Sequence, residues 1–330
     1  MFCKRKKSLQ KRSEFCYRRT MNMISMQIQI LAYLLIGLLL GKKKWITKQT
    51  ASQLNFLVMN LILPCSIFHA FQTKITPGII RSCLSIFVIA ILIQCAFILI
   101  GRLLWKNHQP EKERINLDFC TVSNNAGTLG MVIGEAAFGN EGILYTSIYA
   151  IPLRICMWAY GIGLYARNKN DSLPTLLKKI FTNPCIIAIL LGIPAMMLQS
   201  AGHPLPDVLT RIITSIGQCT TVLVMLTIGI ILSELSVKEL ASRTVVLYCI
   251  LRLILFPAAV CLLLYVLPVA PITLQICVLE TAMPAPVTAA MLAQKYKTDE
   301  QFAGKLVFLS TMLSMVTLPA WTMLFSMLVR

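Results

Sequence analysis

Two adjacent amides, Asn124 and Asn125, stand in an otherwise apolar stretch and are followed closely by Gly127 and Gly130. Glycine lowers the stability of a helix, and polar groups inside lipid need hydrogen-bond partners. The stretch therefore predicts a broken membrane helix, in which amide side chains replace lost backbone hydrogen bonds or contact a ligand. Tight packing between helices is the alternative, because Asn and small residues also serve there.

A second stretch reads Met283-Pro284-Ala285-Pro286. Its two prolines remove two backbone donors and leave carbonyls unpaired one turn earlier, near Glu280 and Ala282. This pattern predicts a second broken helix. The N-termini of broken helices carry partial positive charge, which suits a carboxylate ligand. The residues that we interpret as substrate-binding or crossover residues are Asn124, Asn125, Gly127, Gly130, Met283, Pro284 and Pro286.

Four charged residues lie well inside apolar segments, and a charge in a membrane indicates function by default. Glu280 lies one turn before Pro284, where it could hold a proton or a cation. Arg252 could face a substrate anion or form a charge pair with Glu280. A structural ion pair, or extension to the membrane surface, is the alternative for the arginines. For Glu135 and Arg154, which lie closer to segment ends, extension to the surface is the preferred interpretation.

The elements that position these residues must be membrane helices. The chain has 330 residues, of which 57% are apolar and 13% charged, and its mean hydropathy is +0.73. Soluble domains carry about 25% charged residues. These values exclude a disordered chain and a collagen-like fibre, and they argue against a soluble enzyme. Ten apolar segments are predicted, at 24–41, 51–71, 79–103, 117–138, 142–166, 184–200, 208–232, 244–267, 271–293 and 303–328.

The net charge of +18 indicates membrane topology and does not indicate a nucleic-acid partner. Most Lys and Arg outside the N-terminal tail fall in the odd-numbered loops, which join segments 1–2, 3–4, 5–6, 7–8 and 9–10. These loops are therefore predicted to be cytoplasmic, with both termini outside. The basic tail at 1–22 argues the opposite way. Either it is an arm near anionic lipid, or translation starts at Met21 or Met23.

The two halves of the chain are nearly equal in length. A first five-helix repeat at 23–166 and a second at 184–330 flank a polar, basic linker at 167–183, predicted to be cytoplasmic. Because five is odd, the second repeat must enter the membrane in the opposite orientation. Inverted repeats are typical of secondary transporters, whose substrate site lies at the repeat interface.

Other kinds of site have little support in the sequence. The 12 Cys form no C-x-x-C pair, and His69, His108 and His203 match no metal-ligand spacing. There is no G-x-S-x-G, H-E-x-x-H or P-loop motif. We therefore expect no enzyme activity, no metal and no cofactor, although coupling to a proton or to sodium is left open. The pattern Gly37-x-x-x-Gly41 is a weak signal of helix packing.

Over about 23–330 the sequence resembles the bacterial form of the auxin efflux carrier family of membrane permeases. The resemblance rests on the order and spacing of four stretches. These are Leu54 to Pro64, Asn125-Ala126-Gly127-Thr128-Leu129-Gly130 continuing to Phe138-Gly139, Leu176 through Asn183-Pro184 to Gly192, and Ala282-Met283-Pro284-Ala285. The sequence departs from the family pattern at Val132 and Val222, where the family often has proline.

The resemblance implies an all-α membrane protein of ten helices in a 5+5 inverted repeat, with helices 4 and 9 broken where they cross. It also implies a scaffold domain and a moving transport domain that work by an elevator-like exchange. Asn125, Gly130 and Pro284 would lie at the crossover. Without proline at 132, the break in helix 4 must rest on Asn125, Gly127 and Gly130.

These observations predict a secondary permease for a small organic anion, such as a carboxylate, in the plasma membrane. The lipid bilayer is the expected environment, a homodimer is left open, and no nucleic-acid partner is expected. A sodium-coupled symporter of the bile-acid type is the nearer alternative, and it needs a cage of several acids and carbonyls. A membrane enzyme or a sensor without transport is a further alternative, but the catalytic cluster or soluble domain that it requires is not evident.

Overall fold

A computed structural model describes residues 28–29, 32–72, 74, 76–165, 181–233 and 242–328, and every regular element in these ranges is helical. The tail at 1–22 and most of the linker at 167–183 lie outside the described residues. Within the described ranges, six helical spans are long and apolar enough to cross a membrane, and three shorter apolar helices accompany them. The six spans are Gln49–Ala70, Pro77–Leu104, Leu129–Tyr165, Asp207–Ile230, Arg243–Val266 and Glu300–Phe325.

The described ranges contain fourteen α-helices, numbered in chain order. The first seven are α1 Ala32–Lys42, α2 Lys48–Leu57, α3 Leu63–Ala70, α4 Pro77–Leu104, α5 Glu111–Val122, α6 Leu129–Tyr165 and α7 Pro184–Ser200. The others are α8 Asp207–Gln218, α9 Thr220–Leu232, α10 Arg243–Ile250, α11 Phe256–Val266, α12 Pro271–Thr281, α13 Thr288–Lys295 and α14 Glu300–Leu328.

Several helices begin where the sequence supplies an N-cap. The side chains of Thr47, Thr76, Asn183 and Ser242 each accept a backbone N–H from the first turn of the following helix. Such a cap satisfies one of the donors that the first turn of a helix leaves unpaired. Proline follows directly at the first position of α4 and of α7, where its missing N–H has no cost.

Two π-helical turns interrupt the apolar helices, each just before a proline. Val58–Ile62 joins α2 to α3 and precedes Pro64, and Leu251–Leu255 joins α10 to α11 and precedes Pro257. Proline cannot donate to the carbonyl four residues earlier, so the preceding turn widens. The second of these turns carries Arg252.

Close packing of α1 against α9 explains the Gly37-x-x-x-Gly41 pattern. A Cβ atom added to Gly37 would overlap the carbonyl of Leu226, and one added to Gly229 would overlap the carbonyl of Leu34. The two backbones are therefore in direct contact, which only glycine permits.

Apolar side chains on the outside of the bundle would face lipid. Leu84, Leu92, Leu99 and Leu103 of α4 are all at least 60% exposed. In water such a surface would promote aggregation, but in a bilayer it is the expected outer face of a spanning helix. Inside the bundle, α4 packs on α6 and α12 packs on α11 and α6.

In the structure, the second part of the predicted fourth segment and nearly all of the fifth belong to one kinked helix. α6 covers the second part of the fourth segment and all but the last residue of the fifth, with a kink at Gly139. Gly139 has φ 66°, ψ −149°, a conformation that L residues rarely adopt. It is the glycine that allows the chain to reverse between the two predicted segments.

Candidate functional site

Two helical interruptions lie where the sequence predicts broken helices. α5 ends at Val122 and α6 begins at Leu129, and between them a 3₁₀ turn covers Asn125–Gly127. The side-chain oxygen of Asn124 accepts the backbone N–H of Ala126 and so caps this turn. α12 ends at Thr281 and α13 begins at Thr288, with both prolines in between.

The first interruption supplies hydrogen-bond donors to carbonyls at the second. In a continuous helix the carbonyl of Glu280 would accept from residue 284, but Pro284 has no N–H. The side-chain amide of Asn124 donates to that carbonyl instead, over 2.5 Å. The backbone N–H of Asn125 donates to the carbonyl of Pro284 over 2.9 Å. The structure therefore brings the two predicted breaks into direct contact. Residues 123–128 and 282–287 together form a crossing of the two interrupted helices.

Arg252 joins the same two interruptions from a third element. Its side chain is 1% exposed, and its guanidinium lies 5.1 Å from the centre of the Phe97 ring. Nε donates to the carbonyl of Met283 over 3.1 Å, and Nη1 donates to the carbonyl of Thr121 over 3.0 Å. Thr121 lies at the end of α5, where its carbonyl has lost its helical donor because Asn125 donates to Pro284. The arginine is thus a structural clamp on both breaks.

Glu280 is completely buried at this crossing, and within the described ranges neither of its carboxylate oxygens has a hydrogen-bond partner. The structure therefore does not pair its carboxylate with Arg252. Both oxygens lie against Gly130, where an added Cβ atom would overlap them. Gly130 provides the space that this carboxylate occupies, which is a role that the helix-breaking interpretation of that glycine does not include.

The interpretation that Arg154 extends to the membrane surface is wrong. Its side chain is 3% exposed, and Nη2 donates to the carbonyl of Gly127 over 2.8 Å. Nη1 donates to Oδ1 of Asn183 over 3.4 Å, just before α7. The break left Gly127 with an unpaired carbonyl, and only a folded chain shows that Arg154 lies beside it. Glu135, by contrast, is partly buried in α6.

Comparison with known proteins shows to which class of protein this chain belongs. A family model described as membrane transport protein matches residues 23–322, which is most of the chain. The chain belongs to this family. The match confirms the resemblance to the auxin efflux carrier family. An uncharacterized transporter from Methanothermobacter thermautotrophicus is 25% identical over 300 residues, covering 89% of this chain and 96% of that protein.

As a member of this family, the protein is a multi-pass membrane transporter and not an enzyme. It needs no cofactor for that activity. Among the described residues, no three His, Cys, Asp or Glu side chains are grouped so that they could hold a metal ion.

Sequence reasoning did not identify two hydroxyl groups at the transporter's crossing. Ser310 of α14 accepts the backbone N–H of Ala285 over 3.0 Å. The buried hydroxyl of Tyr149 lies 3.4 Å from Oγ1 of Thr281. No sequence signal marks these residues, because hydroxyl side chains are common in membrane helices, and Ser310 also bonds to the backbone of its own helix.

The crossing is closed in this conformation. Asn125, Met283, Pro284 and Pro286 are buried, while Gly127 and the adjacent Thr128 are only partly buried. A solute approaching from that side would meet the first turn of α6, whose N-terminus carries partial positive charge. Gly127 and Thr128 in the first interruption and Val287 in the second are therefore the least buried parts of the crossing.

Proposed function

We propose that this protein is a secondary transporter that carries a small organic anion, such as a carboxylate, across the plasma membrane by alternating access. The observation that carries the proposal is the hydrogen-bonded crossing of the interruptions at 123–128 and 282–287. Transporters place broken helices where substrate binds, because the half-helix ends offer unpaired polar groups within the membrane.

The proposed architecture is ten membrane segments in a 5+5 inverted repeat. The first repeat is 23–166, the second is 184–330, and the basic linker at 167–183 lies in the cytoplasm with the other odd-numbered loops. Support comes from the nine apolar helices among the described residues, and from the interruptions at 123–128 and 282–287, which lie in different halves of the chain. A homodimer remains a prediction.

The buried charges at the crossing favour an anionic substrate. Arg154 and Arg252 are two cations, and among the described residues Glu280 is the one buried acid that lies with them. The N-terminus of α6 adds partial positive charge on the partly buried side. A carboxylate bound near Gly127 would thus enter an electropositive environment, with Arg154 next to it.

Glu280 is proposed as the coupling group, and its surroundings favour a proton over sodium. A sodium cage needs several oxygens that are available to the ion. Here the carbonyls of Thr121, Glu280, Met283 and Pro284 each already accept a hydrogen bond, which uses part of their capacity to bind an ion. A buried carboxylate without a partner is costly to keep charged, and a proton would neutralise it.

Uptake of radiolabelled mono-, di- and tricarboxylates into proteoliposomes tests the proposed function. At least one carboxylate should accumulate, and Asn125→Ala should abolish most of that uptake. Asn107→Ala is the matched control, because Asn107 is an exposed amide outside the crossing. Failure of every carboxylate to enter, or an equal effect of both variants, would contradict the proposal. Uptake that requires sodium would favour the symporter of the bile-acid type.

A further inference from the structure

A cavity of about 230 Å³ lies away from the crossing, between the last turns of α4 and α6 and the first turns of α5. Its walls carry an unusual number of cations for a mostly apolar protein. The lining includes Arg102, Trp105, Lys106, Arg114, Asp118 and Gly163. Neither the proposed substrate path nor the crossing uses any of these side chains.

The cations of this cavity outnumber its acid. Asp118 accepts from the hydroxyl of Tyr160 over 3.4 Å, and that hydroxyl also accepts from Nε of Arg102 over 3.2 Å. Arg114 donates to Glu111 over 2.8 Å. Lys106 is exposed and has no carboxylate within 4 Å among the described residues. The ammonium of Lys106 and the terminal nitrogens of Arg102 thus remain able to donate to an anion.

An apolar surface adjoins the cavity on the outside of the bundle. Leu99 lies one turn before Arg102 on α4 and is 60% exposed, and the neighbouring Leu103 is 66% exposed. These side chains would face the hydrocarbon of the membrane. Tyr160 contacts Arg102 with its ring and hydroxyl and is only partly buried, and tyrosine is typical of the boundary between hydrocarbon and headgroups.

We propose that this cavity binds the phosphate of an anionic phospholipid headgroup, with the acyl chains lying along Leu99 and Leu103. Basic pockets between membrane helices bind lipid phosphates on the cytoplasmic side, and the loop that contains Lys106 is one that the charge pattern assigns there. A free phosphate would use the same cations, but it would gain nothing from the apolar surface. The proposal does not depend on which solute the protein carries.

Native mass spectrometry of the delipidated full chain in detergent can test this site. It would compare binding of phosphatidylglycerol with that of phosphatidylcholine of the same chain length. The test variant is Arg102→Gln with Lys106→Gln. The matched control is Lys74→Gln with Arg81→Gln, which removes two exposed cations at the opposite end of α4.

Phosphatidylglycerol should bind more tightly than phosphatidylcholine, and the test variant should weaken it about 25-fold, at about fivefold per cation. The control variant should change the affinity for phosphatidylglycerol less than about twofold, and 10 mM inorganic phosphate should not displace the bound lipid. Equal binding of the two lipids, or equal loss in both double variants, would overturn the proposal. Displacement by inorganic phosphate would assign the cavity to free phosphate and overturn the lipid assignment. If the test variant does not fold, Lys106→Gln alone should still give about a fivefold loss.

Discussion

The side-chain amide of Asn124 donates to the carbonyl of Glu280, the oxygen that Pro284 leaves without a helical donor. One half of the chain thus repairs the defect that proline creates in the other half. In water a solvent molecule could serve instead, but a buried carbonyl inside a membrane has no such substitute. The amide and the proline are therefore expected to depend on each other energetically.

Asn124→Ala should lower the free energy of unfolding by about 1–3 kcal/mol, because the Glu280 carbonyl loses its donor. In a Pro284→Ala background the same change should cost less, since residue 284 then offers a backbone N–H. Thermal unfolding of the four proteins in detergent gives the double-mutant cycle. Additive effects of the two changes would show that the amide does not compensate for the proline.

Arg252→Lys should destabilise the transporter although it keeps the charge. One ammonium cannot reach the carbonyls of Thr121 and Met283 with the fork geometry of a guanidinium. Loss of one charged hydrogen bond costs about 1.5–3 kcal/mol. Arg243→Lys is the matched control, because Arg243 is exposed at the start of α10. Comparable unfolding temperatures for the two variants would argue against the clamp.

Gly130→Ala should reduce transport strongly, because its methyl group would overlap both carboxylate oxygens of Glu280. Adding Glu280→Asp, which shortens the acid, should recover part of the packing and of the unfolding temperature. Gly78→Ala is the control, since a Cβ atom there meets only ordinary contacts. An unfolding temperature of Gly130→Ala equal to that of the wild type would mean that the carboxylate lies elsewhere.

Glu280→Gln should remove the response of uptake to a proton gradient, because the amide resembles the protonated acid and cannot release a proton. Wild-type uptake should rise when the outside is acidified, whereas the variant should give the same rate at all gradients. Uptake at several external pH values, with sodium absent, measures this. Glu300→Gln, at an exposed acid, should keep the wild-type response. A pH response that survives in Glu280→Gln would exclude this residue as the coupling group.

The sequence was sufficient to locate the interruptions, because proline and adjacent amides act on the backbone within a few residues of themselves. The bounds of most predicted apolar segments also agree with those of helices in the structure to within a few residues. A helix that crosses the bilayer needs a long apolar run, and such a run is visible in the sequence. The partners of Arg154 and Arg252 could not be predicted, because both donate to carbonyls that are distant in the chain. For the same reason the space that Gly130 leaves for Glu280 required the three-dimensional arrangement.

The hydrogen bonds that join the two interruptions restrict how this protein can change conformation. Separating residues 124–125 from residues 280–284 would leave their amide and carbonyl groups unpaired in an apolar interior, at a cost that grows with each broken bond. The least costly motion therefore keeps both interruptions together as one rigid body. For the proposed alternating access, we therefore expect the sliding surfaces to lie around this pair of helices and not between them.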